Sequence, residues 1–118
     1  MTRILLVDDE PELLEAWSFA LEYVGYEVVR ARDGGEALGH MSRQTPELVI
    51  TDLMMPGMNG EDLCRAVRQS PQWAHIPIVL HTSAHVGTPV AERLWDAVLR
   101  KPARLEVFLA TIENLIRG

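Results

Sequence analysis

Residues 48–60 decide the fold, and they read LVITDLMMPGMNG. The run Leu48 to Ile50 is apolar without alternation, which is the pattern of a strand that helices cover on both faces of a parallel sheet. Asp52 follows that run, and Asn59 before Gly60 is typical of the residue that precedes a helix. The stretch therefore predicts a buried parallel strand, a loop that carries a carboxylate, and a helix that begins near Gly60.

The alternation of strand and helix extends in both directions from this stretch. Short β-branched or aliphatic runs predict five strands, which are Arg3 to Val7, Tyr26 to Ala31, Leu48 to Asp52, Ile76 to Thr82 and Ala97 to Lys101. Helical spacing predicts five helices, which are Pro11 to a stop at Gly25, Asp33 to Met41, Gly60 to Gln69, Pro89 to Trp95 and Leu105 to Ile116. With right-handed crossovers this pattern gives an α/β, flavodoxin-like, doubly wound parallel sheet, for which the commonest five-strand order is 2-1-3-4-5.

The composition fits one small globular domain. The 118 residues are 47% hydrophobic and 24% charged with a formal charge of -6, so we expect a single domain over residues 1–118, with any output domain beyond 118. The negative charge argues against direct contact with nucleic acid. The single cysteine, Cys64, excludes an internal disulfide, and no apolar run is long enough for a signal peptide or a membrane span. We therefore expect a cytoplasmic protein with no membrane partner.

Polar side chains collect at the carboxyl ends of four predicted strands. Asp8 and Asp9 follow the first strand, Asp52 ends the third, Thr82 ends the fourth and Lys101 ends the fifth. In the 2-1-3-4-5 order a crevice opens at this edge between strands 1 and 3, because the adjacent crossovers leave on opposite faces. We therefore expect these five residues to lie in one site.

The residue types of this site favour phosphoryl chemistry. Two carboxylates 4 Å apart repel each other by roughly 4 kcal/mol at an effective dielectric constant of 20, so the site requires positive charge. Mg²⁺ prefers carboxylate, water and phosphate oxygens, and Lys101, the only lysine beside ten arginines, adds an ammonium. With the Thr82 hydroxyl as a donor, Asp52 is the candidate nucleophile that accepts a phosphoryl group as an acyl phosphate.

These motifs resemble those of a known family. The receiver domain of bacterial two-component response regulators, the CheY-like family, has motifs similar to Val7-Asp8-Asp9-Glu10, Thr51 to Gly60, Thr82 and Lys101-Pro102. The resemblance covers essentially the whole chain. It implies a domain that takes a phosphoryl group from the phosphohistidine of a sensor histidine kinase or phosphotransfer protein and then switches a surface that binds an output domain or effector. It implies a signalling phosphoacceptor rather than an enzyme.

The resemblance implies a role for each residue around the phosphoryl group. Asp52 would be the phosphoacceptor, Thr82 would hydrogen-bond the phosphoryl oxygen, and Lys101 would pair with that oxygen. The peptide between Lys101 and Pro102 resembles one that is cis in the family, and X-Pro bonds are the common place for a cis form.

The resemblance also implies how the chain would hold Mg²⁺. Asp9 and Asp52 would be direct ligands, together with the backbone carbonyl of Met54, while Asp8 would act mostly through metal-bound water. These assignments come from the matching positions of the motifs and not from spacing alone.

Four features depart from the family pattern. Val98 stands where an aromatic usually precedes the lysine by three residues, Ala103 replaces a frequent Phe, and His81 replaces a usually aliphatic residue. The segment from Thr82 to Lys101 is about three residues shorter than is usual. We expect phosphoryl acceptance to be intact and its readout to differ from the usual coupling between the threonine and an aromatic.

Other functions stay open on the residues alone. The departures allow a degenerate receiver that binds partners without phosphorylation. A Mg²⁺-dependent phosphohydrolase with a phosphoaspartate would need a general acid or base near the nucleophile, often two residues along, where this chain has Met54. A flavin-binding module of the same topology is disfavoured, because acids and not phosphate-cradling glycines follow the first strand. Taken alone, Asp8 and Asp9 could simply cap the first helix.

Overall fold

A computed structural model describes residues 1–86 and 94–118 of the chain. Five strands form one sheet, and they are β1 (Arg3–Val7), β2 (Glu27–Ala31), β3 (Leu48–Thr51), β4 (Ile78–Thr82) and β5 (Ala97–Arg100). The helices of the described residues are α1 (Pro11–Tyr23), α2 (Gly34–Arg43), α3 (Gly60–Gln69) and α4 (Leu105–Arg117). All neighbouring strands are parallel and lie in the order β2-β1-β3-β4-β5, so the predicted doubly wound sheet is confirmed.

The helices differ from the prediction in number. We predicted five, and the described residues contain four, each within two residues of a predicted helix at either end. The remaining predicted helix, Pro89 to Trp95, falls mostly on residues 87–93, which lie outside the described residues, while Leu94 and Trp95 are not helical. None of the helices in the described ranges is long and apolar enough to cross a membrane.

The strand ends place the functional side chains just beyond the hydrogen-bonded ladder. β3 and β5 each end one residue earlier than predicted, so Asp52 and Lys101 lie in the first position after their strands. β4 begins at Ile78 rather than two residues earlier, and Pro77 before it has no N–H to donate to a neighbouring strand. The side chains of Asp52 and Lys101 therefore project from the edge of the sheet rather than from its faces.

Each face of the sheet carries its own core. Val49 and Leu80 pack with residues of α2 and α3, whereas Ile50 and Val79 pack with residues of α1 and α4. All four are fully buried, which accounts for the uninterrupted apolar runs in the sequence. Because the connections from β1 and β3 leave on opposite faces, a crevice opens between the carboxyl ends of these two strands.

The start of α3 packs directly against the loop that follows β3. The Gly60 N–H donates to the Leu53 carbonyl oxygen at 2.9 Å, and a Cβ added to Gly60 would collide with the Asp52 carbonyl oxygen. Asn59 caps the helix, because its side chain accepts a hydrogen bond from the Asp62 N–H at 2.9 Å. The predicted helix start is confirmed, and glycine is required there by the close approach of two backbones.

The substitution Gly60→Ala is expected to lower the free energy of unfolding by about 1–3 kcal/mol, because the added methyl must displace the loop that carries Asp52. Gly39→Ala in α2 is the matched control, since a Cβ at Gly39 meets nothing within 4 Å. That change is expected to raise the free energy of unfolding by about 0.5–1 kcal/mol through helix propensity. Urea unfolding followed by circular dichroism measures both, and equal effects would contradict the close-approach argument.

Candidate functional site

The carboxyl ends of three strands bring two aspartates and the single lysine into one pocket. Lys101 Nζ lies 2.7 Å from Asp52 Oδ2 and 2.9 Å from Asp8 Oδ2. Asp8 and Asp52 are only 4% and 6% exposed, so these charges are almost completely enclosed by protein. The structure thus brings together these three residues as the strand order predicts, while their chemical roles stay predictions.

Asp52 is held ionised by the donors around it. Its Oδ1 accepts hydrogen bonds from the N–H groups of Leu53 at 2.6 Å and Met54 at 3.3 Å, and its Oδ2 accepts one from Lys101. Burial raises the pKa of Asp52, but hydrogen bonds from Lys101, Thr82 and Met54 and the charge of Lys101 outweigh burial and lower the pKa below its usual value. Asp52 is therefore a carboxylate at neutral pH, which is the form that a nucleophile requires.

The pKa of Asp8 is raised, whereas that of Asp52 is lowered. Burial raises its pKa most, and the charge of Asp52 adds to that, although the Glu10 N–H and Lys101 work against it. The Glu10 N–H donates to Asp8 Oδ1 at 3.0 Å. Burial lowers the pKa of Lys101, but its hydrogen bonds to Asp52 and Asp8 raise it well above the usual value. The lysine is therefore a fixed ammonium between two carboxylates of different acidity.

Thr82 connects the pocket to the ends of β4 and β5. Its hydroxyl oxygen accepts a hydrogen bond from the Ala84 N–H at 3.1 Å, and its side chain helps to lower the pKa of Asp52. The Lys101 N–H donates to the Thr82 carbonyl oxygen at 3.0 Å, and the Lys101-Pro102 peptide is cis, as the resemblance implies. The hydroxyl and the ammonium thus approach Asp52 from adjacent strands.

Asp9 and Glu10, which follow Asp8, are placed differently from each other. Both are exposed, but Glu10 Oε1 lies 3.4 Å from Lys101 Nζ, and carboxylate oxygens of Asp8, Glu10 and Asp52 lie within 4.8 Å of one another. In the described residues Asp9 is not part of this group, so its role as a direct metal ligand stays a prediction. Sequence reasoning assigned no role to Glu10, for which the only signal was its place beside the acid pair.

The donor atoms of the pocket suit a hard divalent cation. Three clustered carboxylates face one ammonium, so the pocket keeps an excess of negative charge. Asp52 contributes to raising the pKa of Asp8, which shows that the two carboxylates still repel each other. Oxygen ligands of this kind are those that Mg²⁺ binds in proteins, so the residues present fit this ion.

His81 lies on the opposite face of β4 from the pocket, in a cluster with Trp17 of α1 and Phe108 of α4. Its ring centre is 5.4 Å from that of Trp17 and 5.0 Å from that of Phe108, nearly perpendicular to both. Trp17 and Phe108 stack on each other at 4.1 Å. His81 is 2% exposed, and its Nε2 has no hydrogen-bond partner in the described part of the chain. Burial, aided by the charge of Lys101, lowers the pKa of His81 to about 4.

Val98, three residues before Lys101, lies on the edge strand β5, at the position where the resemblance implies an aromatic side chain. Val98 pairs with Leu80 in the parallel ladder and is 44% exposed. A small aliphatic side chain at this position fills less space than an aromatic ring would. The pocket therefore carries the charged residues that the resemblance implies, whereas the edge strand β5 lacks the aromatic that it implies.

Stability is expected to fall as the pH drops, because His81 must take up a proton in the unfolded state. The pKa of His81 is about 4 in the folded protein and about 6.5 in the unfolded protein. The contribution of neutral, buried His81 to the free energy of unfolding is therefore complete above pH 6.5 and is lost as the pH falls towards 4. The loss between pH 7.5 and pH 5 is about 2 kcal/mol. In urea unfolding, His81→Leu should not show this loss of the free energy of unfolding between pH 7.5 and pH 5. The control His75→Gln, which changes an exposed histidine, should show the same loss as the wild type. Parallel curves for His81→Leu and the wild type would contradict the assignment.

Comparisons with known proteins agree with the fold. Residues 4–113 match the response regulator receiver domain family. Protein PilH of Pseudomonas aeruginosa is 30% identical over the full length of both chains. DNA-binding response regulator MtrA of Mycolicibacterium smegmatis is 42% identical over 98% of this chain and 50% of that protein. The chain therefore spans the whole of one relative and about half of the other.

Solved structures show the same architecture. Response regulator protein TrrA of Thermotoga maritima, in complex with Mg(2+)-BeF, has a TM-score of 0.87 at 29% identity, with 98% of this chain and 99% of that chain covered. The family match extends over nearly the whole chain, and the acidic pocket lies at the strand ends where the motifs predict it. The chain therefore belongs to the response regulator receiver domain family and is a CheY-like receiver domain of two-component signalling.

Proposed function

We propose that Asp52 of this receiver domain accepts a phosphoryl group from a phosphohistidine of a sensor histidine kinase or phosphotransfer protein. An oxygen of the Asp52 carboxylate attacks the phosphorus, the bond between phosphorus and the histidine nitrogen breaks, and the histidine leaves. The product is an acyl phosphate on Asp52. The observation that carries this proposal is the Lys101 ammonium 2.7 Å from Asp52, since it keeps the nucleophile ionised and offers a cation to the incoming group.

Mg²⁺ is the metal of the proposed reaction. Asp9, Asp52 and the Met54 carbonyl would hold it directly, and Asp8 would do so through a water molecule. When bound, the ion supplies positive charge beside the phosphoryl oxygens. The clustered carboxylates of Asp8, Glu10 and Asp52 support a cation in this pocket, as does the solved structure of the similar TrrA in complex with Mg(2+)-BeF.

Thr82 and Lys101 change partners when the phosphoryl group arrives. Before phosphorylation the Thr82 hydroxyl oxygen accepts a hydrogen bond from the Ala84 N–H, and Lys101 contacts Asp52 and Asp8. A phosphoryl group on Asp52 brings charged oxygens that accept stronger hydrogen bonds from both donors. The ends of β4 and β5 then shift, which biases a partner-binding surface between two states.

The partners follow from this role. We assign the domain to a cytoplasmic signalling protein that receives its phosphoryl group from a kinase or phosphotransfer protein and passes the signal to an output domain or effector. MtrA, which is described as DNA-binding, is about twice the length of the matched region. Because this chain carries a net charge of -6, contact with nucleic acid would belong to an output domain and not to the receiver.

The site supports the two alternatives, a phosphohydrolase and a receiver that works without phosphorylation, less well than it supports a phosphoacceptor. A phosphohydrolase would need an acid or base where Met54 stands, and the Met54 side chain is an unionisable thioether that is 66% exposed. A receiver that works without phosphorylation is suggested by Val98 at the exposed edge. The complete pocket favours a changed readout over a lost acceptor, because Asp8, Asp52 and Lys101 keep their mutual contacts.

Incubation with acetyl phosphate and Mg²⁺ is expected to add one phosphoryl group to the wild type and none to Asp52→Asn, as measured by intact mass. Asp62→Asn is the matched control, because it removes an exposed carboxylate of α3 outside the pocket and should label like the wild type. Chelation of Mg²⁺ should suppress labelling in both active proteins. Labelling of Asp52→Asn equal to that of the wild type would refute the proposal.

A further inference from the structure

Glu10 is a third carboxylate partner of Lys101 and differs from the other two. Its Oε1 lies 3.4 Å from Lys101 Nζ, compared with 2.9 Å for Asp8 and 2.7 Å for Asp52. The side chains of Asp8 and Asp52 are 6% and 8% exposed, whereas that of Glu10 is 62% exposed. Two partners of the lysine are therefore enclosed, and the third is a side chain that water reaches freely.

The backbone of Glu10 is anchored, and among the described residues its side chain is paired only with Lys101. Glu10 is the N-cap residue of α1 but makes no side-chain capping hydrogen bond. Its N–H donates to Asp8 Oδ1 at 3.0 Å, which anchors the residue at the rim of the pocket. In the described residues its carboxylate hydrogen-bonds Lys101 across a separation of 91 positions in the chain. A carboxylate held only by one longer ion pair is easily displaced.

We propose that Glu10 is a displaceable gate of the pocket, which favours the divalent cation and opposes the incoming phosphoryl group. This inference rests on the proposed function. The added negative charge attracts a cation to the three clustered carboxylates. The same charge repels an anionic phosphodonor and occupies one of the donor directions of Lys101 that the phosphoryl oxygens must take. Glu10 is therefore a positioning residue that acts through Lys101 and through its charge.

The neighbours of Glu10 offer a close control. Glu12 lies in the first turn of α1, yet it lines a different surface with Phe19 and Arg30. Glu12→Gln removes the same charge from the same helix end without touching Lys101. A general effect of net charge would appear in Glu10→Gln and Glu12→Gln alike, whereas the gate predicts an effect of Glu10→Gln only.

The test uses two readouts with opposite expected signs. Titration of the unphosphorylated protein with MgCl₂, followed by amide chemical shifts, is expected to show about three- to tenfold weaker binding in Glu10→Gln than in the wild type. The rate of labelling by acetyl phosphate at saturating Mg²⁺, followed by intact mass, is expected to rise by about three- to tenfold. Glu12→Gln should match the wild type in both. A purely structural lesion would lower both affinity and rate.

The outcomes separate this inference from the proposed function. Weaker Mg²⁺ binding with faster labelling in Glu10→Gln supports the gate. Equal values for Glu10→Gln and Glu12→Gln, or a change in affinity without faster labelling, overturn the gate while labelling of Asp52 in the wild type upholds the proposed function. Absence of labelling in the wild type overturns both.

Discussion

The Lys101 ammonium holds two buried carboxylates together at the ends of adjacent strands. Two unit charges of the same sign 4 Å apart repel each other by about 4 kcal/mol at an effective dielectric constant of 20. Lys101 offsets that repulsion with contacts of 2.7 Å and 2.9 Å to Asp52 and Asp8. The lysine follows β5, which is separated from β3 by β4, so the cluster forms only when these strands are in register.

The pocket separates the acidities of its two aspartates. Both are buried, but the pKa of Asp52 is lowered by more donors while the pKa of Asp8 is raised by burial and by its neighbour. Environments that make the pKa values of two neighbouring carboxyl groups differ suit the two groups to different roles. Asp52 is the more acidic of the two, and it also lies against the backbone N–H groups of the loop that Gly60 allows to pack closely.

The two faces of β4 serve different purposes. Thr82 turns towards the charged pocket, and His81 beside it packs edge-on against the stacked rings of Trp17 and Phe108 under the α1–α4 face. The edge strand β5 presents Val98 to solvent where the family usually has an aromatic. The charged pocket thus carries the residues that the resemblance implies, whereas His81 and Val98 depart from the pattern that it implies.

The sequence by itself determined the parallel sheet, its strand order and the gathering of Asp8, Asp52, Thr82 and Lys101 at one edge. These follow from local patterns, because a strand buried on both faces must be continuously apolar and residues after parallel strands share an edge. Four of the five predicted helices lie in the described residues, and the fifth, Pro89 to Trp95, falls mostly outside them.

Only the tertiary structure decided which neighbouring acid turns to the lysine, how the two aspartates differ in acidity, and that His81 packs against two stacked aromatic rings. Each of these depends on side-chain direction and on burial by residues distant in the chain. Adjacent residues such as Asp9 and Glu10 look equivalent in a sequence, and only packing against the rest of the molecule makes them different.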